Sequence, residues 1–101
     1  MARFVAVCRV EDVGEGRGRS VEAEGLPIAI FNDGGMFHAL LGRCPHASGP
    51  LGNGWIEEGE VVCPLHHWRF KLATGRCTTI RGESLPRFRC EVREGEVWVE
   101  V

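Results

Sequence analysis

The sequence predicts an all-β fold, an antiparallel sandwich or barrel assembled from short hairpins. Three observations predict it. Fourteen glycines and five prolines in 101 residues demand frequent tight turns. From Arg87 to Arg93 apolar and charged residues alternate strictly, and Val97, Val99 and Val101 fall on one side of the last segment. That period of two belongs to strands with one buried face. No segment carries the apolar spacing of a helix of normal length.

The elements follow in chain order. Ala2 to Val10, rich in Phe and Val, is expected to be a strand, and Glu11 to Arg19, with three glycines and scattered charges, a loop. Ser20 to Glu24 is a short polar strand ended by Gly25. Leu26 to Phe31 pairs with Met36 to Leu41 through Asn32-Asp33-Gly34-Gly35, residues that accept positive φ. Residues 42–65 are irregular and rich in Gly, Pro, Cys and His, with a hairpin predicted around Glu57-Glu58-Gly59-Glu60. Trp68 to Leu72 is a strand that Ala73-Thr74-Gly75 turns toward a further one, Arg76 to Thr79. After the loop Ile80 to Pro86 come the alternating final pair, Arg87 to Arg93 and Glu96 to Val101, joined at Glu94-Gly95.

Composition excludes several functions. A chain of 101 residues suits one domain and not two. No apolar run approaches the length that crosses a bilayer. The stretch Phe4 to Cys8 is shorter than the apolar centre of a secretory signal, so a soluble, cytoplasmic protein without membrane association is expected. Twelve Lys and Arg against fourteen Asp and Glu leave a formal charge of −2, without the basic footprint of a nucleic-acid binder. A local excess of cations lies between Arg69 and Arg93. Seven of them (Arg69, Lys71, Arg76, Arg81, Arg87, Arg89, Arg93) face only Glu83 and Glu91. Solvated strand faces or a docking face for an acidic partner would both produce it. Five cysteines, an odd number without an export signal, favour metal binding or plain burial over disulfides.

Two short motifs carry the chemistry: Cys44-Pro45-His46 and Cys63-Pro64-Leu65-His66, separated by residues 47–62. Each supplies one sulfur and one imidazole from a loop stiffened by proline. A single tetrahedral zinc could take such a Cys₂His₂ set. Structural zinc fingers usually pair Cys with Cys and His with His along the chain, however, and here each loop contributes one of each. A two-iron cluster, with both thiolates on one iron and both imidazoles on the other, accounts better for that pattern.

The pair of motifs, with Pro64-Leu65-His66-His67-Trp68-Arg69-Phe70 and Thr74-Gly75-Arg76 after it, resembles the Rieske [2Fe–2S] ferredoxins over nearly the whole chain. The resemblance implies a single Rieske domain over residues 1–101 with a small inserted cluster-binding subdomain at about 42–68. It implies that Cys44 and Cys63 ligate the buried iron, and His46 and His66 the outer one. In the high-potential respiratory branch each loop carries a further cysteine, and these form a disulfide. Gly49 and Leu65 stand at those positions here, and Trp68 stands where that branch has a serine donating to a cluster sulfur. Fewer donors to the sulfurs imply a lower potential. Pro45 and His67 replace a threonine and a glycine often seen in the family.

The function so implied is one-electron transfer without catalysis. The electron would come from an NAD(P)H-dependent reductase and go to a ring-hydroxylating oxygenase. The small subunit of an NAD(P)H-dependent nitrite reductase is the alternative, and a zinc-stabilised interaction module the alternative of another class. With the chain at −2, two cysteinates and a doubly positive oxidised core leave −2, and reduction gives −3. Ionisation of the iron-bound imidazoles would make the potential fall as pH rises. Outside the motifs, Cys8, Cys77 and Cys90 are expected as small buried hydrophobes and His38 as structural. Trp55 and Trp68 are expected to close the core by the cluster loops. Leu85-Pro86 is either a third loop over the cluster or an ordinary turn.

Overall fold

The computed structural model describes residues 3–44, 50–65 and 67–101. Its strands form three antiparallel sheets. β1 (Phe4–Arg9), β10 (Glu96–Glu100) and β9 (Cys90–Arg93) make the first, in the order β1-β10-β9. β2 (Gly18–Ala23), β3 (Leu26–Asp33), β4 (Met36–Leu41) and β8 (Arg87–Phe88) make the second, in that order. β5 (Trp55–Glu57), β6 (Glu60–Val62) and β7 (Arg69–Lys71) make the third. Single 3-10 turns at Val10–Asp12 and Leu51–Asn53 are the helical segments among the described residues, so none is long and apolar enough to cross a membrane. The all-β expectation holds.

Strand β3 explains the layering. Successive side chains of a strand point to opposite faces. Ile28 and Ile30 pack with Val97 and Val99 of the first sheet, whereas Ala29 and Phe31 pack with Val61 and Phe70 of the third. The second sheet is thus the middle layer, and its strand β3 is buried on both faces. Its central strand accordingly reads as an unbroken apolar run rather than an alternating one. Full burial of a side chain such as Phe31 stabilises the fold by roughly 1.5–3 kcal/mol.

Two-residue turns set the registers. Asp33 pairs with Met36 across Gly34-Gly35, both at positive φ (62° and 98°), as a type I′ turn requires. Asn32 secures that hairpin from a buried position. Its amide donates to the Val13 carbonyl at 2.8 Å, and its oxygen accepts the Gly35 N–H at 2.8 Å. Glu24-Gly25, Glu58-Gly59 and Glu94-Gly95 close the other hairpins with the same pair of positive φ angles.

Two expectations need correction. Arg76 to Thr79 is not a strand, because only isolated bridges form, Phe70 to Cys77 and Arg76 to Ser84. Hydrogen bonds to β7 at Lys71 N–H to Arg76 O and Thr78 N–H to Arg69 O are not continued beyond. The alternating run 87–93 is two strands. Arg87 and Phe88 pair with β4, and the chain then changes sheets at Arg89, whose carbonyl accepts the Glu100 N–H. The burial expected on one face of that run fades along it. Phe88 and Cys90 are half-buried, but Val92 is 49% exposed.

Candidate metal centre

Strands β4 and β8 are hydrogen-bonded neighbours, so residues 42–86 leave the middle sheet and return to it. Both motif cysteines lie on this excursion. Cys44 follows β4 in a loop closed at its base, where the Leu51 N–H donates to the Gly42 carbonyl at 3.1 Å and Arg43 bridges Pro50. Cys63 follows β6, and its N–H donates to the Trp68 carbonyl at 2.8 Å, closing the second loop. Both residues are fully buried in one apolar cluster with Phe31, Leu51 and Phe70.

Both cysteines that the sequence singles out are thus buried in the same apolar cluster. A buried thiolate is costly unless something compensates its charge, and a metal does so. The donor set fits iron on the sulfur side. His46 and His66 lie outside the described residues, as does Gly49, and among the described residues no group of three or more potential ligands occurs.

The rim of the second loop is polar and strained. His67 is exposed at φ 57°, the left-handed region that favours glycine, and this is the position where the resemblance expects one. Its ring meets Trp55 edge-on, with centroids 5.7 Å apart and planes at 75°. Trp55 therefore braces the rim, whereas Trp68 packs against the buried cluster as expected. Leu65 is 42% exposed. Leu85 is buried in the cluster that holds Cys44 and Cys63, and the Leu41 N–H donates to the Pro86 carbonyl at 3.0 Å, so this segment packs on the same core.

Sequence reasoning missed a network beside this rim. Trp55 Nε1–H donates to Glu57 at 2.6 Å, and Arg69 donates to Glu57 at 3.0 Å and to Glu60 at 2.8 Å. The indole N–H first and then the guanidinium hold the Glu57 carboxyl below its usual range, and Arg69 does the same for Glu60. A three-residue strand offers no sequence signal for such pairing; the register of Glu60 against Lys71 creates it.

Of the three cysteines expected to be buried, one is fully so and two only in part. Cys77 is buried in the cluster that holds Cys44 and Cys63, and the half-buried Cys8 and Cys90 pack against Val97 and Val99. Burial pushes the Cys90 thiol up to about 11 and raises that of Cys8 as well. His38 is 7% exposed, its Nδ1 has no hydrogen-bond partner among the described residues, and burial lowers its pKa.

A family model for the Rieske [2Fe–2S] domain matches residues 3–89. The chain belongs to this family. A Rieske domain holds a [2Fe–2S] cluster and carries electrons, which sets aside the single zinc weighed above. Human apoptosis-inducing factor 3 is 37% identical over 95 residues, 93% of this chain, yet the chain spans only 16% of that protein's length. The 3-phenylpropionate/cinnamic acid dioxygenase ferredoxin subunit of Escherichia coli K12 is 31% identical over 99 residues, covering 96% of this chain and 92% of the subunit.

Among solved structures, a chain of the complex of reduced oxygenase and oxidized ferredoxin in carbazole 1,9a-dioxygenase is similar. It has a TM-score of 0.84 and 32% identity, over 95% of this chain and 91% of that one. A chain assigned as an NADH-dependent nitrite reductase small subunit from Mycobacterium tuberculosis superposes with a TM-score of 0.91 over 100% and 96% of the two chains. At 24% identity that likeness speaks to the Rieske fold alone.

Proposed function

We propose that residues 1–101 form a single Rieske domain acting as a ferredoxin component, with Cys44, His46, Cys63 and His66 holding the [2Fe–2S] cluster in a subdomain at about 42–68. Burial of Cys44 and Cys63 in one apolar cluster, at the mouths of two loops closed at their bases, carries the reading. When bound, the cluster takes up and releases one electron. The protein's part is to hold it. Phe31, Leu51 and Phe70 keep water from the sulfurs, and the Cys63–Trp68 and Gly42–Leu51 hydrogen bonds fix the two loops. Leu65 and Trp68, at positions where the high-potential branch has cysteine and serine, support a low-potential cluster.

The electron donor in this reading is an NAD(P)H-dependent reductase, and the acceptor a ring-hydroxylating oxygenase. Similarity to the dioxygenase ferredoxin subunit and to the oxygenase–ferredoxin complex supports the acceptor. A nitrite reductase small subunit is the second reading, favoured by the fold likeness alone. A cytoplasmic location accords with either. Replacing His66 with Cys tests the ligand set. The substitution is expected to move the spectrum of the reduced protein toward that of an all-cysteine cluster or to abolish it. An unchanged spectrum would remove His66 from the site.

A further inference from the structure

Beside β7 the surface holds a depression of about 320 Å³ lined by Lys71, Arg76, Cys77, Thr78, Thr79 and Arg81. No carboxylate among the described residues lines it. Four arginines elsewhere are neutralised: Arg3 pairs with Glu24, Arg9 with Glu11, Arg69 with Glu57 and Glu60, and Arg93 with Glu91. Lys71, Arg76 and Arg81 are exposed and form no ion pair among the described residues. Two acids lie close by in the register or the turn, and neither forms an ion pair with these cations. Glu60, opposite Lys71 in the register, is already held by Arg69, and Glu83 meets Cys77 through its backbone carbonyl. On a chain of net charge −2 this is a concentrated patch of the opposite sign.

We infer that this depression is a docking seat for a carboxylate-rich face of a redox partner protein, an inference that rests on the electron-carrier reading above. Two features favour a protein over a small oxyanion. Ile80, 39% exposed, stands in sequence between lining residues Thr79 and Arg81 and offers the apolar contact that protein interfaces combine with a charged rim. The position also suits electron transfer. Lys71 lies three residues beyond Trp68, about 10 Å at the rise of a strand, and Trp68 closes the Cys63 loop. A partner burying about 800 Å² of this surface covers a disc roughly 30 Å across, enough to span both the seat and the cluster loops. Opposite charge at such a seat acts mainly on the encounter rate and weakens with salt.

The test uses the cluster-loaded protein and a fluorescein-labelled decaglutamate peptide, followed by fluorescence anisotropy at low ionic strength. The wild type is expected to bind saturably. The triple variant Lys71→Ser/Arg76→Ser/Arg81→Ser is expected to bind at least tenfold more weakly. A control losing the same charge from paired arginines, Arg3→Ser/Arg9→Ser/Arg93→Ser, is expected to change affinity less than twofold. Absence of saturable binding, or equal losses in the two triples, would overturn the seat. So would displacement of the peptide by inorganic phosphate beyond that by chloride at equal ionic strength, which would mark a small-oxyanion site. The paramagnetic signal of each dithionite-reduced protein is recorded alongside. A wild type without it overturns the electron-carrier reading, whereas a full signal without seat-dependent binding overturns the seat alone.

Discussion

Gly75 ties the β7 hairpin to the segment that returns to the middle sheet, and its replacement by alanine measures how tightly that junction is built. A Cβ there would lie 2.1 Å from the Leu85 carbonyl oxygen and 3.2 Å from its carbon, at φ +81°. The neighbour is backbone, held in place because the Leu85 N–H donates to the Gly75 carbonyl at 2.7 Å. Relief requires a shift of about 1 Å that breaks this bond, worth about 1 kcal/mol, and draws Leu85 partly out of the core. The left-handed backbone itself costs alanine about 1–2 kcal/mol. With part of the 2–5 kcal/mol lost on truncating a buried leucine, the expected destabilisation is about 3–5 kcal/mol.

Gly82 is the matched control, since it has φ +86° and nothing within 4 Å of its added Cβ. Gly82→Ala therefore carries the backbone cost alone. Thermal midpoints of the cluster-loaded proteins, read by circular dichroism at one scan rate, should fall by roughly 4–8 °C for each kcal/mol in a domain of this size. The excess of about 2–3 kcal/mol should thus drop the midpoint of Gly75→Ala roughly 8–24 °C further than that of Gly82→Ala. Equal shifts would refute the close approach of Gly75 to Leu85.

Three further outcomes are expected. In Arg69→Gln the Glu57 and Glu60 carboxyls should titrate closer to their ordinary value, as followed by nuclear magnetic resonance. Because their folded pKa values are depressed, the stability they contribute is present above the unfolded pKa and lost as pH falls through the folded one; the variant should lose that part of the acid dependence. His38 has the opposite chemistry. Its imidazole is held neutral by burial, so the unfolded chain binds more protons just below pH 6.5 and stability falls with acid there. His38→Phe should flatten that slope, and an unchanged slope would assign it to other groups. His66→Cys should change the spectrum of the reduced cluster, as set out above.

Much of this was legible in the residues, and the limits have physical causes. Turn chemistry at Asn32 to Gly35 and at Glu94-Gly95 specified hairpins because few residues accept paired positive φ. The alternation in 87–93 disclosed strand but not that Arg89 hands the chain from one sheet to another, since both sheets impose the same period. Arg76 to Thr79 has strand-like composition, yet only isolated bridges tie it to its neighbours. The cysteine and histidine spacing named the chemistry, and burial of both sulfurs in one cluster agrees with it. Which cations of the 69–93 excess are neutralised was not legible, because ion pairs such as Arg69 with Glu57 and Glu60 depend on register across strands.

The electron paramagnetic resonance spectrum of the dithionite-reduced protein, with iron and zinc counted on the same sample, tests the central claim most directly. Two irons per chain and an average g value below that of all-cysteine clusters are the predicted result, the signature of mixed cysteine and histidine ligation. A silent spectrum with stoichiometric zinc would contradict it and leave a structural metal in place of an electron carrier.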